Sequence, residues 1–175
     1  MSLFIGLGNP GSKYQSTRHN LGQNVILNLF QLLGLTPKSH PKLLAHIAQS
    51  GHFYAYTTTY MNESGISAQK IVNFYKIPSA GLYLIHDDLD LPVGEWRLQF
   101  GRGPAGHKGV ESVVSHLGSQ DFWRFRLGIG HPRDSSNPGL PVEDYVLMPF
   151  TPPEQVLIEA VIAKIITEIK NLHQS

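Results

Sequence analysis

The chain has no cysteine, which excludes disulfides, thiolate metal sites and thiol nucleophiles together. It also lacks an apolar run long enough to span a membrane. Met1-Ser2-Leu3-Phe4-Ile5 reaches Gly6 too soon for the apolar core of a signal peptide. A cytoplasmic protein with no membrane partner is therefore expected. Only 15% of the 175 residues are charged, while 41% are hydrophobic, a balance that argues against disorder. A chain of this length fits a single domain, residues 1–175, with a sizeable core. Neither a Walker loop nor a G-x-S-x-G elbow occurs, so two common phosphate and serine chemistries have no anchor. No heptad seam is present, and a monomer is the plain expectation.

Residues 1–62 contain no carboxylate at all, against Lys13, Arg18, Lys38 and Lys42. Residues 63–95 are net −3, residues 96–133 net +4 and residues 134–175 net −4, so a formal charge of +1 conceals strong segregation. Two basic blocks that met in space would offer a surface to a polyanion.

Periodicity gives an α/β reading. Residues 2–6, 45–49, 53–59, 82–86, 95–100 and 123–129 read as strands, and residues 131–141 as a loop. Leu21, Val25, Leu29 and Leu32 mark one helix, ending at Gly34. Ala68, Ile71, Val72 and Tyr75 mark a second, and Val110, Val113, Val114 and Leu117 a third. Thr151-Pro152-Pro153-Glu154 reads as a capping box before a final helix with Ile158, Ile162, Ile165 and Ile169 on one stripe. A mixed sheet is expected, because some strands look hairpin-connected. In the strand from Trp123, the alternation puts Arg124 and Arg126 on the less apolar side.

Five motifs carry chemistry. Gly6-Leu7-Gly8-Asn9-Pro10-Gly11 matches a dinucleotide fingerprint in pattern only. Pro10 and the polar run after it delay the helix, and no carboxylate precedes Glu63 to hold a ribose. A tight turn presenting the Asn9 amide remains. Tyr14…Thr17-Arg18-His19-Asn20 places a histidine at a loop-to-helix junction. Tyr60-Met61-Asn62 ends a strand, where Asn62 suits either a helix N-cap or a ligand contact. His86-Asp87-Asp88-Leu89-Asp90-Leu91-Pro92 offers acids beside a histidine. A divalent metal is one use of them, and a carboxylate that accepts the Nδ1 proton of a catalytic histidine is the better one. Gly101-Arg102-Gly103-Pro104-Ala105-Gly106-His107-Lys108-Gly109 opens a helix and suits an anionic group.

In this order these motifs, continued by Arg126-Leu127-Gly128-Ile129-Gly130-His131-Pro132, resemble the bacterial peptidyl-tRNA hydrolase family from residue 3 to about 151. The resemblance implies a single α/β domain with a twisted mixed sheet flanked by helices. It implies hydrolysis of the ester joining a peptide to the 3′ ribose of tRNA, with no metal and no cofactor. It makes His19 the general base, Asp87 its orienting carboxylate and Asn9 a contact to the peptide beside the ester. Asn62 and Met61, with Tyr14 and Tyr60, would hold the peptide and the 3′ end, and Arg126 and Arg97 would meet tRNA phosphates. Three departures stand out. Lys108 occupies a position usually held by asparagine, Thr57 one usually held by proline, and the chain stops early, at Ser175. A non-catalytic RNA-binding relative on the same scaffold is the alternative, and Lys108 is the one feature pointing to it.

Overall fold

The computed structural model describes residues 1–172; residues 173–175, with the early stop at Ser175, lie outside the described residues. Seven strands form one sheet: β1 (Leu3–Gly6), β2 (Lys38–His40), β3 (Ala45–Ser50), β4 (His52–Thr57), β5 (Leu82–Asp88), β6 (Trp96–Phe100) and β7 (Trp123–Gly128). Their order is β2-β3-β4-β1-β5-β7-β6. The central β4, β1, β5 and β7 run parallel, while β2, β3 and β6 are antiparallel to their neighbours. The mixed character has a local cause. β3 and β4 turn back on one another at Gly51, whose φ of 70° favours glycine, whereas the parallel pairs need helical crossovers.

The helices are α1 (Leu21–Leu33), α2 (Ser64–Tyr75), α3 (Lys108–Leu117), α4 (Val142–Tyr145) and α5 (Pro152–Leu172). Strand residues alternate between two cores. Phe4, Tyr54, Ile85 and Phe125 pack with Leu21, Val25 and Leu29 of α1 and with Ile158, Ile162 and Ile165 of α5. Leu3, Ile5, Phe53 and Leu84 pack on the other face with Ala68 and Ile71 of α2 and Val110 and Val113 of α3. Both faces of the parallel strands are therefore covered, as their continuous apolar runs require. Glycine sets one approach in particular. A methyl group on Gly22 would run into the Ile85 carbonyl, so only glycine lets the first turn of α1 sit on the sheet. Among the described residues no helix is long and apolar enough to cross a membrane.

Several boundaries differ from the sequence reading. The strand expected over 53–59 ends at Thr57, because the chain turns into a 3-10 helix at Met61–Glu63 and then into α2. The three-residue β2 and four-residue α4 are additional elements, and Pro132–Asp134 forms a 3-10 turn inside the expected loop. Leu32, placed on the buried stripe of α1, is 60% exposed, while Ile26 and Phe30, which flank that stripe in the sequence, are buried.

The topology fixes the site. β1 lies between β4 and β5, so the chain leaves β1 to one side and later returns to the other. Loops after β1, β4 and β5 meet at their carboxyl ends, the switch point where open α/β sheets bind ligands.

Candidate active site

Three loops are stitched together by asparagines. Asn20, fully buried, accepts from the Asn9 N–H at 2.9 Å and donates through Nδ2 to the Asn9 carbonyl at 2.9 Å. The Met61 N–H donates to Asn9 Oδ1 at 2.7 Å. An N–H donor there fixes the amide orientation and leaves Asn9 Nδ2 as the available donor. Asn9 thus joins the loops after β1 and β4, while Asn20 ties both to the turn that carries His19.

His19 sits in a 3-10 turn, Arg18–Asn20, whose backbone is held from outside: the His19 N–H donates to the Val146 carbonyl at 2.9 Å. Its Nδ1 lies 2.8 Å from Asp87 Oδ2, and Asp87 Oδ1 lies 2.7 Å from His107 Nε2. Tautomers follow from the partners. His107 Nδ1 accepts the N–H groups of Gly109 and Val110 at 3.1 and 3.3 Å, so its proton is on Nε2 and points at Asp87. Asp87 accepts from both rings, so His19 donates through Nδ1. His19 Nε2 then carries a lone pair, and among the described residues no hydrogen bond to it is found.

Burial would raise the Asp87 carboxyl, but His19 and His107 outweigh it and hold the group well below the usual carboxylate range. Burial would lower the His19 imidazole, yet Asp87 wins and raises it above the ordinary histidine value, with Lys108 opposing. His86, next in sequence to Asp87, is different. Its Nδ1–H donates to the Asp87 carbonyl at 2.7 Å, its Nε2 is buried without a partner, and burial pushes it well down, His107 and Arg124 adding to the effect. His86 stays neutral and structural.

His19, Asp87 and His107 also form a group whose candidate ligand atoms lie within 4.8 Å of one another. The donor chemistry fits protons better than a metal. A cation on His107 Nε2 would displace its proton while two N–H groups still occupy Nδ1, leaving an imidazolate.

The cavity beside this group, about 350 Å³, is lined by His19, Asp87, His107 and Lys108. Leu89, Pro104, Ala105, Val142, Val146 and Leu147 make most of its apolar wall, with Asp90 and Glu143 among the lining. Asn9, Tyr14, Tyr60, Met61 and Asn62 do not line it. Tyr14 and Tyr60 meet edge to face, ring centres 6.4 Å apart. Asn62 is exposed and makes no helix-cap bond, so the N-cap use is set aside.

The arginines share one side of β7, but that side is buried. Arg124 and Arg126 are 1% and 5% exposed. Arg126 Nε donates to Asp88 Oδ2 at 2.7 Å and its Nη1 to Gln99, so its guanidinium is committed inside the protein. Arg124 donates to the Gly103 carbonyl at 2.8 Å, which ties down the glycine-rich loop; burial and the neighbouring Arg126 push it down to about 10. Alternation separates both from Phe125 and Leu127, and the β5–β7–β6 register fills their side with Asp88 and Gln99. Arg97, on the edge strand β6, remains exposed. The glycine-rich loop was also expected to offer free N–H groups to an anion, and His107 already takes two of them.

His107 is the residue that the sequence reading left without a role of its own. Its signal was position: a polar ring immediately before a helix, where an N-cap is needed.

Fold and site together define an α/β protein with a buried carboxylate bonded by two histidines at its switch point. The sequence model described as peptidyl-tRNA hydrolase matches residues 3–175. A peptidyl-tRNA hydrolase of Francisella tularensis is 43% identical over 152 residues, covering 84% of this chain and 78% of that protein. One from an Azoarcus species is 40% identical over 160 residues, covering 90% and 72%. The crystal structure of peptidyl-tRNA hydrolase from Acinetobacter baumannii superposes with a TM-score of 0.90 at 36% identity, covering 99% of this chain and 89% of that one. This chain belongs to the peptidyl-tRNA hydrolase family.

Proposed function

We propose that this enzyme hydrolyses the ester between a peptide, or an N-blocked amino acid, and the 3′ ribose of tRNA, with His19 as general base. The observation that carries the reading is the orientation of His19, which lines a cavity: Nδ1 is committed to buried Asp87, and Nε2 has no hydrogen-bond partner among the described residues. Nε2 takes a proton from water as the oxygen attacks the ester carbonyl carbon, and Asp87 stabilises the imidazolium. Collapse of the tetrahedral intermediate breaks the bond to the ribose oxygen, which receives that proton from His19. Free tRNA and a peptide carboxylic acid leave, and the acid ionises in solvent. Asn9 Nδ2 is the donor we assign to the peptide carbonyl region as charge develops there.

Tyr14, Tyr60, Met61 and Asn62 hold the peptide and the 3′ end in this reading. Lys108, exposed at the start of α3, meets phosphate near the 3′ end, and Arg97 meets phosphate further along. Arg126, paired with Asp88, holds β7 to β5 in this reading. No metal or cofactor enters any step. The enzyme acts as a cytoplasmic monomer, a reading supported by two closed cores that leave the sheet faces covered.

Release of free tRNA from N-acetyl-aminoacyl-tRNA in EDTA tests the function. Hydrolysis is expected, with the unblocked aminoacyl-tRNA cleaved far more slowly. Tight tRNA binding without any cleavage would instead establish the binding-only relative.

A further inference from the structure

Arg18 precedes His19 and is 4% exposed; both terminal nitrogens of its guanidinium are engaged, while its Nε is buried without a hydrogen-bond partner among the described residues. Nη1 and Nη2 donate to the two carboxylate oxygens of Glu154 at 3.1 and 2.7 Å, and Nη1 also donates to the Ile129 carbonyl at 3.3 Å. Its Cζ lies 4.5 Å from the centre of the Tyr145 ring and 4.8 Å from that of Phe150. Glu154 accepts in addition from the Thr151 N–H and Oγ1 at 2.8 and 3.0 Å. One carboxylate therefore closes the first turn of α5 and holds the residue beside the base. Burial would raise the Glu154 carboxyl, but Arg18 and Thr151 keep it below its ordinary value.

The backbone repeats the connection. The Arg18 N–H donates to the Met148 carbonyl at 3.0 Å, the His19 N–H to that of Val146 at 2.9 Å, and Thr17 bridges Pro149. The same segment supplies Val142, Val146 and Leu147 to the cavity wall. The backbone of the base and the facing wall are thus set by one stretch, residues 142–150, anchored at its end by Glu154.

We propose that Glu154 is a positioning residue for catalysis: its bidentate pair with Arg18 locks the 142–150 segment to the 17–19 turn and so aims His19 Nε2 into the cavity. The proposal rests on His19 as the base. A bidentate arginine–carboxylate pair fixes direction as well as distance. Removing the carboxylate leaves a buried cation that must turn outward or find water, moving its neighbour in sequence. A shift of about 1 Å at a reacting group can cost on the order of 10²-fold in rate.

The test compares Glu154→Gln, Arg18→Lys, Thr151→Ala and His19→Ala on N-acetyl-aminoacyl-tRNA, with proton and nitrogen NMR of the imidazoles. Glutamine puts an NH₂ against the arginine N–H groups. We expect kcat to fall about ten- to hundredfold, with KM changed by no more than about threefold. The low-field His19 Nδ1–H signal should shift or broaden. Arg18→Lys keeps the charge but loses the fork, and should lose kcat in the same direction. Thr151→Ala weakens the helix end without touching Arg18, and should melt earlier with kcat unchanged. Full kcat in Glu154→Gln overturns the proposal, as does an equal loss of kcat in Thr151→Ala. An inactive His19→Ala beside a fully active Glu154→Gln removes the positioning role alone, whereas an active His19→Ala removes the base and this proposal together.

Discussion

Asp87→Asn is the most informative single substitution, because Asp87 accepts two N–H groups and asparagine has one carbonyl oxygen to offer. The donors are His19 Nδ1 at 2.8 Å and His107 Nε2 at 2.7 Å. His107 cannot exchange its proton to the other nitrogen, since Gly109 and Val110 already donate to Nδ1. The amide oxygen therefore stays with His107, and the NH₂ faces His19. His19 must then accept through Nδ1 and carry its proton on Nε2, which removes the lone pair from the cavity. Loss of the charged hydrogen bond to the imidazolium costs about 1.5–3 kcal/mol, or roughly 10–10² in rate. The misplaced proton adds to this, and in serine-protease triads the same exchange lowers kcat about 10⁴-fold. We expect kcat to fall by about 10³–10⁴, with tRNA affinity retained. Single-turnover hydrolysis of N-acetyl-aminoacyl-tRNA measures the first, and nitrogen-15 shifts of His19 report the tautomer. A variant that keeps more than about a tenth of the wild-type rate, with His19 still protonated on Nδ1, would refute the two-donor argument.

Other outcomes follow from the same geometry. Because Asp87 raises His19 and activity needs the neutral ring, the acid limb of kcat/KM should have its midpoint above about 6.5. The stability that the pair adds through His19 has the opposite sense, being fully present below about 6.5 and lost as pH rises through the folded value. Melting curves and rate profiles over the same pH range check both, and an acid limb below the ordinary histidine value contradicts the assignment. Arg126→Ala should destabilise the fold by about 3–5 kcal/mol in denaturant titrations, because Asp88 is left without its partner. Arg97→Ala should instead spare stability and lower the slope of log affinity for tRNA against log salt by about one unit or less. The reverse pattern would show that the buried arginine, and not the exposed one, touches phosphate.

What the sequence disclosed depended on whether a feature is local. The strand at 82–86 and the helix from Pro152 declared themselves through continuous and periodic apolar residues, and both lie where expected. β2 has three residues, none buried, and α4 only four, so neither carries a period that could be read. His19 and Asp87 were legible as motifs, and the structure places them 2.8 Å apart. The second donor was not, because His107 reaches Asp87 only when the fold brings the N-terminus of α3 to Asp87. The burial of Arg124 and Arg126 was hidden for a related reason. Alternation along a strand tells two sides apart, but not whether the polar side meets solvent or Asp88 and Gln99. Arg18 and Glu154, separated by 136 positions, are joined by the path of the 142–150 segment, which no local pattern encodes.

The base assignment is tested most directly by turnover and tRNA affinity of His19→Ala, measured side by side in EDTA. The account predicts that kcat falls by about 10²–10⁴ while the dissociation constant for N-acetyl-aminoacyl-tRNA stays close to that of the wild type. Wild-type kcat in His19→Ala would contradict it.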